Sequence, residues 1–333
     1  MERRSFLHTL LAGGAVAAAR PLLDRTTSLS AASLPRARLN TTARTPGRGP
    51  IIDVHMHAYP ADAALPAALV NPVTGTATTV RNGAAHLQAC LAEMKRLNVV
   101  KGIVSGGAGD RLAAALHWRD TDPDRFIAAA GIRGSADTPL PDLAVLRTAF
   151  SAGRLRVLGE ITAQYAGLTL GDRSYDPYLS LAEELDVPAA VHMGVGPPGI
   201  SYDPCCHGFR ASLGNPAVLE EALNRHPKLR VNVMHGGWPY LQETMALLSI
   251  YPQVNVDLGA IDWMLPRAEF HAHLGALMRA GFGRRIMFGS DQMYWPEAIG
   301  MAVDAIDAAP FLTAENRRDI FYGNAARFLR LER

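Results

Sequence analysis

The chain has 333 residues, 48% apolar, 19% charged and 7% aromatic, an ordinary globular composition with enough apolar residues for one large core or two smaller ones. The formal charge of +2 hides an asymmetry: residues 1–50 hold eight Arg and two acids, a net of +6, so residues 51–333 carry −4. A mildly acidic body excludes a basic nucleic-acid surface, and no apolar run is long enough for stable insertion in a bilayer.

At the N-terminus, Arg3-Arg4-Ser5-Phe6-Leu7 precedes an Ala/Gly-rich apolar run that ends at Ala17-Ala18-Ala19. A charged start, a short apolar run and a small-residue site have the form of a signal peptide over residues 1–19. The paired arginines resemble a twin-arginine signal, so export to a bacterial periplasm is expected. Residues 20–49 read as an Arg/Thr/Ser/Pro/Gly linker, and residues 50–331 as the folded domain.

Apolar, β-rich runs then recur at a spacing that helices fill. The predicted strands are Ile51–His57, Val99–Ser105, Arg125–Ile132, Leu155–Thr162, Val187–Met193, Arg230–His235, Val254–Leu258 and Arg285–Asp291. Helices are predicted near Ala84–Leu97, Leu140–Ala152, Pro177–Leu185, Pro216–His226, Tyr240–Ile250 and Ala268–Ala280, with a closing helix over Ala314–Leu331. Short buried strands alternating with helices imply parallel pairing. Eight such units over roughly 280 residues fit an α/β fold of the (β/α)8 TIM-barrel type. No Gly-x-Gly-x-x-Gly follows the first strand, which weighs against a dinucleotide fold.

The barrel predicts where chemistry should sit, at the C-terminal ends of the strands. His55 and His57 close the first strand and, two residues apart, share a face, which offers a metal half a coordination shell. Glu160 lies near the end of the fourth strand, His192 ends the fifth, His235 the sixth and Asp291 the eighth. Singly, each has a bland reading as a rim histidine, a turn cap or an ion-pair partner. Together, six such residues converging on one mouth suit Zn²⁺, with Mn²⁺ or Fe²⁺ as alternatives.

Two long loops, Ala58–Gly83 and Gly194–Asn215, are expected to shape the substrate pocket. The second carries Arg210, read as a solvated arginine or a carboxylate clamp, and His207, read as a pocket residue but not a ligand. Trp238 walls the pocket or packs beneath it. Cys205 and Cys206 are read as two reduced thiols, with a vicinal disulfide as the alternative.

The motifs Asp53-Val54-His55-Met56-His57, Val191-His192-Met193-Gly194, Met234-His235-Gly236-Gly237 and Phe288-Gly289-Ser290-Asp291 resemble those of the amidohydrolase superfamily, in particular its amidohydrolase 2 group, which includes aminocarboxymuconate-semialdehyde decarboxylase-like enzymes. Tyr322-Gly323-Asn324-Ala325-Ala326-Arg327-Phe328-Leu329 resembles that group's C-terminal helix, so the likeness covers essentially residues 50–331. It implies a metal held by His55, His57, His192 and Asp291, with His235 as an acid/base or polarising residue. Some superfamily members bridge two metals with a carbamylated lysine on strand four. Here Lys101 begins strand two, and Lys95 and Lys228 precede strands, so none can do so. One metal is expected, and a second held through Glu160 is the alternative.

The implied activity is a metal-dependent hydrolase of amides, lactones or esters, in which Asp291 takes a proton from the attacking water. A non-oxidative decarboxylase with the same site is the alternative, and a non-catalytic binding barrel a third reading. The expected partner is a small-molecule substrate, with a homodimer as a candidate assembly.

Overall fold

The structure is a computed structural model and describes residues 49–331, apart from 67–68, 107–110 and 136. The signal peptide and nearly all of the linker expected from the sequence lie outside the described residues. No helix among the described residues is long and apolar enough to cross a membrane.

Strand β1 (Ile51–Ala58) leads through a long loop to α1 (Gly83–Leu97), followed by β2 (Val99–Gly106), α2 (Arg111–Thr121), β3 (Phe126–Ile132), α3 (Leu143–Ser151), β4 (Val157–Ile161) and α4 (Asp176–Glu184). The second half holds β5 (Ala189–Val191), α5 (Glu220–Arg225), β6 (Val231–Val233), α6 (Leu241–Ile250), β7 (Val254–Asp257), the single turn α7 (Ile261–Met264), α8 (Arg267–Arg279), β8 (Ile286–Met287), α9 (Ala298–Asp307), α10 (Ala314–Arg318) and α11 (Asn324–Leu329). Local chemistry sets several boundaries. Asn82 caps α1 by accepting from Ala85 N, and Asn98 ends it in the left-handed region, which Asn tolerates better than most residues. Thr313 and Asn316 form a reciprocal cap at the start of α10.

The strands pair in the order β1 to β8, each parallel to the next. Val54 N donates to Phe288 O and Asp291 N to His55 O, which joins the segment after β8 back to β1 and closes the barrel. The TIM-barrel expectation therefore holds.

Four details differ from the sequence reading. The structure has helices α2 and α9 where no helix was expected. The closing helix is interrupted by a π turn at Asp319–Gly323. Strands β5, β6 and β8 are two or three residues long, so His192, His235 and Asp291 lie just past the strand ends. In β1 the pairing register shifts between Asp53 and Met56, which breaks strict alternation. Ile52 and Val54, two residues apart, pack in one apolar layer with Ile103, Ile127, Val157, Met234 and Met287. Ala325, Ala326, Phe328 and Leu329 of α11 pack against the same layer. The larger apolar cluster lies between barrel and helices, with Trp118, Phe126, Phe270 and Trp295 among its fully buried members.

Candidate metal centre

His55 and His57 sit in β1 as expected, and Asp291 reaches them from the loop after β8. His57 Nε2 lies 2.9 Å from Asp291 Oδ1, and His55 Nε2 lies 3.7 Å from the same oxygen. These three residues each offer a ligand atom to one small space. His55 Nε2 is buried without a hydrogen-bond partner, and Asp291 Oδ1 is buried with only the His57 imidazole beside it. Buried polar atoms rarely stay unmatched, so a nitrogen and a carboxylate oxygen facing each other are what a cation site presents. Glycine at 289 permits the approach, because a Cβ there would lie 2.7 Å from His55 Cβ.

Glu160, on β4, is the fourth group. Its Oε2 is 3.7 Å from His57 Nε2 and 4.0 Å from His55 Nε2, while Oε1 accepts from His192 Nδ1 at 2.7 Å. His55, Glu160 and His235 form a second set of converging ligand atoms. His192 is brought to Glu160 and His235 rather than into the His55–His57–Asp291 set. Its Nδ1 lies 3.0 Å from His235 Nε2.

His235 is placed by a local device. It adopts φ 59°, and Gly236 and Gly237 follow at 57° and 64°. This left-handed run swings the imidazole over the barrel mouth. Glycine is required at 237, where a Cβ would lie 2.1 Å from Thr244 Oγ1. The carbonyl of Gly259 accepts from His235 Nδ1 at 2.9 Å. In a neutral ring that fixes the proton on Nδ1 and leaves Nε2 as the acceptor.

Two imidazoles contrast. Burial opposes charge on His55, yet Asp291, Asp257 and Glu160 outweigh it and push its pKa up to about 10. Burial also opposes charge on Asp291, but His55 and His57 hold it well below the usual carboxylate range. The pocket thus favours positive charge at His55, and a cation can take the place of that proton. His235 goes the other way: burial, with His192 and His55 adding to it, pushes its pKa down to about 4.

The sequence reading missed Asp257 and Gln292. Asp257 is fully buried at the end of β7 and accepts from Asn232 Nδ2 (2.7 Å), Gly259 N (2.9 Å), His235 N (3.2 Å) and His55 Nδ1 (3.3 Å). It therefore turns His55 so that Nε2 faces the shared space, the usual carboxylate–histidine arrangement at metal sites. The available signal was an Asp ending a predicted strand. Gln292 accepts from His57 N and donates to His57 O, clamping β1 to the loop that carries Asp291.

A cavity of about 220 Å³ opens onto these groups, lined by Tyr165, His192, His235 and Asp291 on one side and by Val195, Pro197, Trp238, Ile261, Met264 and Leu265 on the other. Trp238 thus walls the pocket. Arg210 does not face it, since its Nη1 donates to the carbonyls of His207 and Phe209. His207 is exposed and outside the cavity lining. Cys205 and Cys206 are joined in a disulfide rather than reduced. Asp203 organises the turn, accepting from Cys205 N through its side chain and from Cys206 N through its carbonyl.

A family model described as amidohydrolase matches residues 52–331. The chain belongs to this amidohydrolase family. The family is usually metal-dependent, and the converging His55, His57 and Asp291 give this member a matching ligand set. Among solved structures, an uncharacterized TIM-barrel protein from Bordetella bronchiseptica superposes with TM-score 0.63 at 17% identity, covering 84% of this chain and 98% of that one. The probable 2-pyrone-4,6-dicarboxylic acid hydrolase of Acinetobacter baumannii, with citric acid bound, gives 0.59 at 16%, covering 84% and 98%. A 2,6-dihydroxybenzoate decarboxylase from Rhizobium gives 0.59 at 16%, covering 86% and 100%. At these identities the likeness shows the fold. Protein fluG of Emericella nidulans is 27% identical over 88 residues, and this chain spans only 10% of that protein's length.

Proposed function

We propose that this family member is a metal-dependent hydrolase of a C–N or lactone/ester bond in a small, largely apolar molecule. The observation that carries the reading is the convergence of His55 Nε2, buried without a hydrogen-bond partner, with His57 Nε2 and Asp291 Oδ1, beside a cavity that Asp291 and His235 line. His55, His57 and Asp291 would hold the cation, His192 joining them as the resemblance implies. Zn²⁺ suits these donors, with Mn²⁺ or Fe²⁺ as alternatives. One cation is the simpler state, and Glu160 could hold a second. When bound, the cation supplies Lewis acidity toward water and a substrate carbonyl.

The chain's own groups then move protons. Asp291 accepts the proton of the attacking water on a carboxylate oxygen. His235, neutral with its lone pair on Nε2 beside His192 Nδ1, takes up there the proton released from water and gives it to the leaving group. Gly259 O keeps the ring in that orientation. The apolar wall excludes water from the rest of the substrate. Non-oxidative decarboxylation of a small carboxylic acid is the second reading, supported by the name of the Rhizobium neighbour. Both reactions leave the His and Asp roles in place.

The test combines metal analysis of purified protein with a screen of lactones, amides and aromatic carboxylates, scoring hydrolysis products and CO₂ separately. A bound transition metal is expected, and Asp291→Asn or His235→Ala should each cost ~10²–10⁴-fold in rate. Unchanged turnover in both variants, or no bound metal and no effect of chelator on thermal stability, would sink the assignment. CO₂ release without hydrolysis would select the second reading.

A further inference from the structure

The loop between β5 and α5 supplies part of the cavity's apolar wall and is closed on itself. Gly194 N donates to Gly214 O at 2.7 Å, and a Cβ on Gly214 would lie 1.8 Å from Gly194 O, so the two ends of the loop are pinned together. Such a closed loop is packed by its own side chains, as Ω-loops are. Its filling is a small apolar cluster separate from both barrel cores: Ile200, Cys206 and Phe209, with Tyr165 from the segment after β4 and with Cys205 packed against them. The wall rests on this filling. A Cβ on Gly196 would lie 3.0 Å from the Phe209 ring and 3.2 Å from Ile200. Phe209 meets the Tyr165 ring edge-on at 5.2 Å, and Tyr165 meets His192 edge-on at 5.1 Å. Tyr165, Val195, Gly196 and Pro197 all line the cavity.

The Cys205–Cys206 disulfide belongs to that filling, and the preceding mechanism has no use for it. Cys206 is 1% exposed, whereas Cys205 is half-buried. Their Cα atoms are 3.8 Å apart, the spacing of chain neighbours and below the span of about 4.4 Å or more usual for bridged cysteines. Disulfides that are strained or exposed are the ones that exchange with external thiols, and this one combines a short span with an accessible partner. The turn around it is held by three backbone donors: Cys205 N to Asp203 Oδ1 at 3.0 Å, Cys206 N to Asp203 O at 2.9 Å and Phe209 N to Cys206 O at 2.9 Å. Cys90, the remaining cysteine, is free and buried in α1.

We propose that the Cys205–Cys206 bond is a thiol-exchange site whose redox state sets the shape of the cavity's apolar wall. Its co-reactant is a dithiol. One thiolate of the dithiol attacks Sγ of Cys205, the more exposed residue, and the bond to Cys206 breaks. Cys206 leaves as a thiolate and takes up a proton. The second thiol of the reagent then attacks its own sulfur in the mixed disulfide, and Cys205 is released as a thiol. The protein gains two electrons and two protons, and the dithiol becomes a cyclic disulfide. Once the bond is cut, two sulfurs that stood about 2 Å apart must separate to more than about 3.5 Å. Cys206 is enclosed, so the movement falls on Cys205, on the turn at Asp203 and on the Ile200 and Phe209 contacts that support Gly196. The oxidised loop is the firm wall, and the reduced loop is a looser one in which Phe209 no longer braces Tyr165.

Treatment of the purified full chain with dithiothreitol under native conditions tests this without any substrate. Thiol counting in denaturant should find one thiol, Cys90, in the oxidised protein and all three cysteines after the treatment. Amide hydrogen exchange read by mass spectrometry should then be at least ~10-fold faster across residues 195–209 and around Tyr165, as for a loop brought to low local stability. Exchange in α11, at the floor of the barrel, should not change. The double variant Cys205→Ser, Cys206→Ser should exchange like the reduced wild type and should not respond to dithiothreitol, which separates the effect from removal of metal by the reagent. Were that variant not to fold, reoxidation of the wild type still carries the comparison, because it should restore slow exchange. A bond that stays intact under native treatment would overturn the proposal. So would reduction with no change across residues 195–209, or an equal acceleration in α11, because the bond would then be an inert link or a staple of the whole fold. No turnover is measured, so failure to find hydrolysis bears on the proposed reaction and not on this site.

Discussion

The two ends of the barrel interior are built from the same eight strands yet follow opposite rules. At the floor, Ile52, Val54, Ile103, Ile127, Val157, Met234 and Met287 form an apolar layer against α11. One to four residues further along the same strands and loops, the lining becomes His55, His57, Glu160, His192, His235 and Asp291. The floor needs no partner beyond itself. The mouth holds buried nitrogen atoms, His55 Nε2 and His192 Nε2, without a hydrogen-bond partner among the described residues. The contrast separates what the strands spend on stability from what they spend on a site.

The largest effect tests the floor. Phe328→Ala should cost ~3–5 kcal/mol of stability, as expected for emptying a buried aromatic site, read from urea denaturation at fixed metal. Phe328 is 5% exposed and packs within the floor layer. Metal affinity and kcat/KM should stay at wild-type values. If they fell together with stability, the two ends would not be independent.

A smaller effect tests the mouth in the reverse sense. Asp257→Asn should lower metal affinity or activity about 10- to 100-fold, as for other carboxylates that orient a liganding histidine. Four donors converge on Asp257, and an amide would turn an N–H₂ toward some of them. Competition with a chelator of known affinity gives the measurement. Wild-type metal affinity and rate would mean that His55 is positioned by β1 alone.

The same contrast explains what could be read from sequence. Floor and helix-facing residues make continuous apolar runs, so all eight strands were legible. The site residues were legible because each lies at or just past the end of such a run. Asp257 meets that criterion too, but in Val-Asn-Val-Asp it reads as one more polar residue of an alternating strand. The register shift in β1 between Asp53 and Met56 leaves no mark in a period-two pattern. Helix α9 escaped because its apolar face is so broad: Ala298, Ile299, Gly300, Ala302, Val303, Ala305 and Ile306 are buried, and only Met301, Asp304 and Asp307 mark a narrow outer stripe. Helix α2 follows a glycine-rich segment that reads as loop and masks the N-cap signal of Asp110 before Arg111.

Imidazoles sharpen the comparison outside the barrel as well. In the mouth, carboxylates push His55 up to about 10. His86, on α1, packs against Tyr59 at 5.0 Å and Trp118 at 5.7 Å, with no carboxylate in contact, and burial pushes it down to about 3. The folded chain therefore keeps His86 neutral while the unfolded chain protonates it near pH 6.5. Its contribution to stability is complete above that pH and is lost as pH falls toward 3, by about 1.4 kcal/mol per pH unit within the window. Urea denaturation of wild type and His86→Gln from pH 7 to 4.5 measures the difference between their slopes. Other titrating groups, including the metal site, contribute equally to both proteins and cancel. The wild type should lose stability more steeply by up to one proton's worth. Equal slopes would show that His86 takes up a proton in the folded state, and that its aromatic surroundings do not act as an apolar counterpart to the charged mouth.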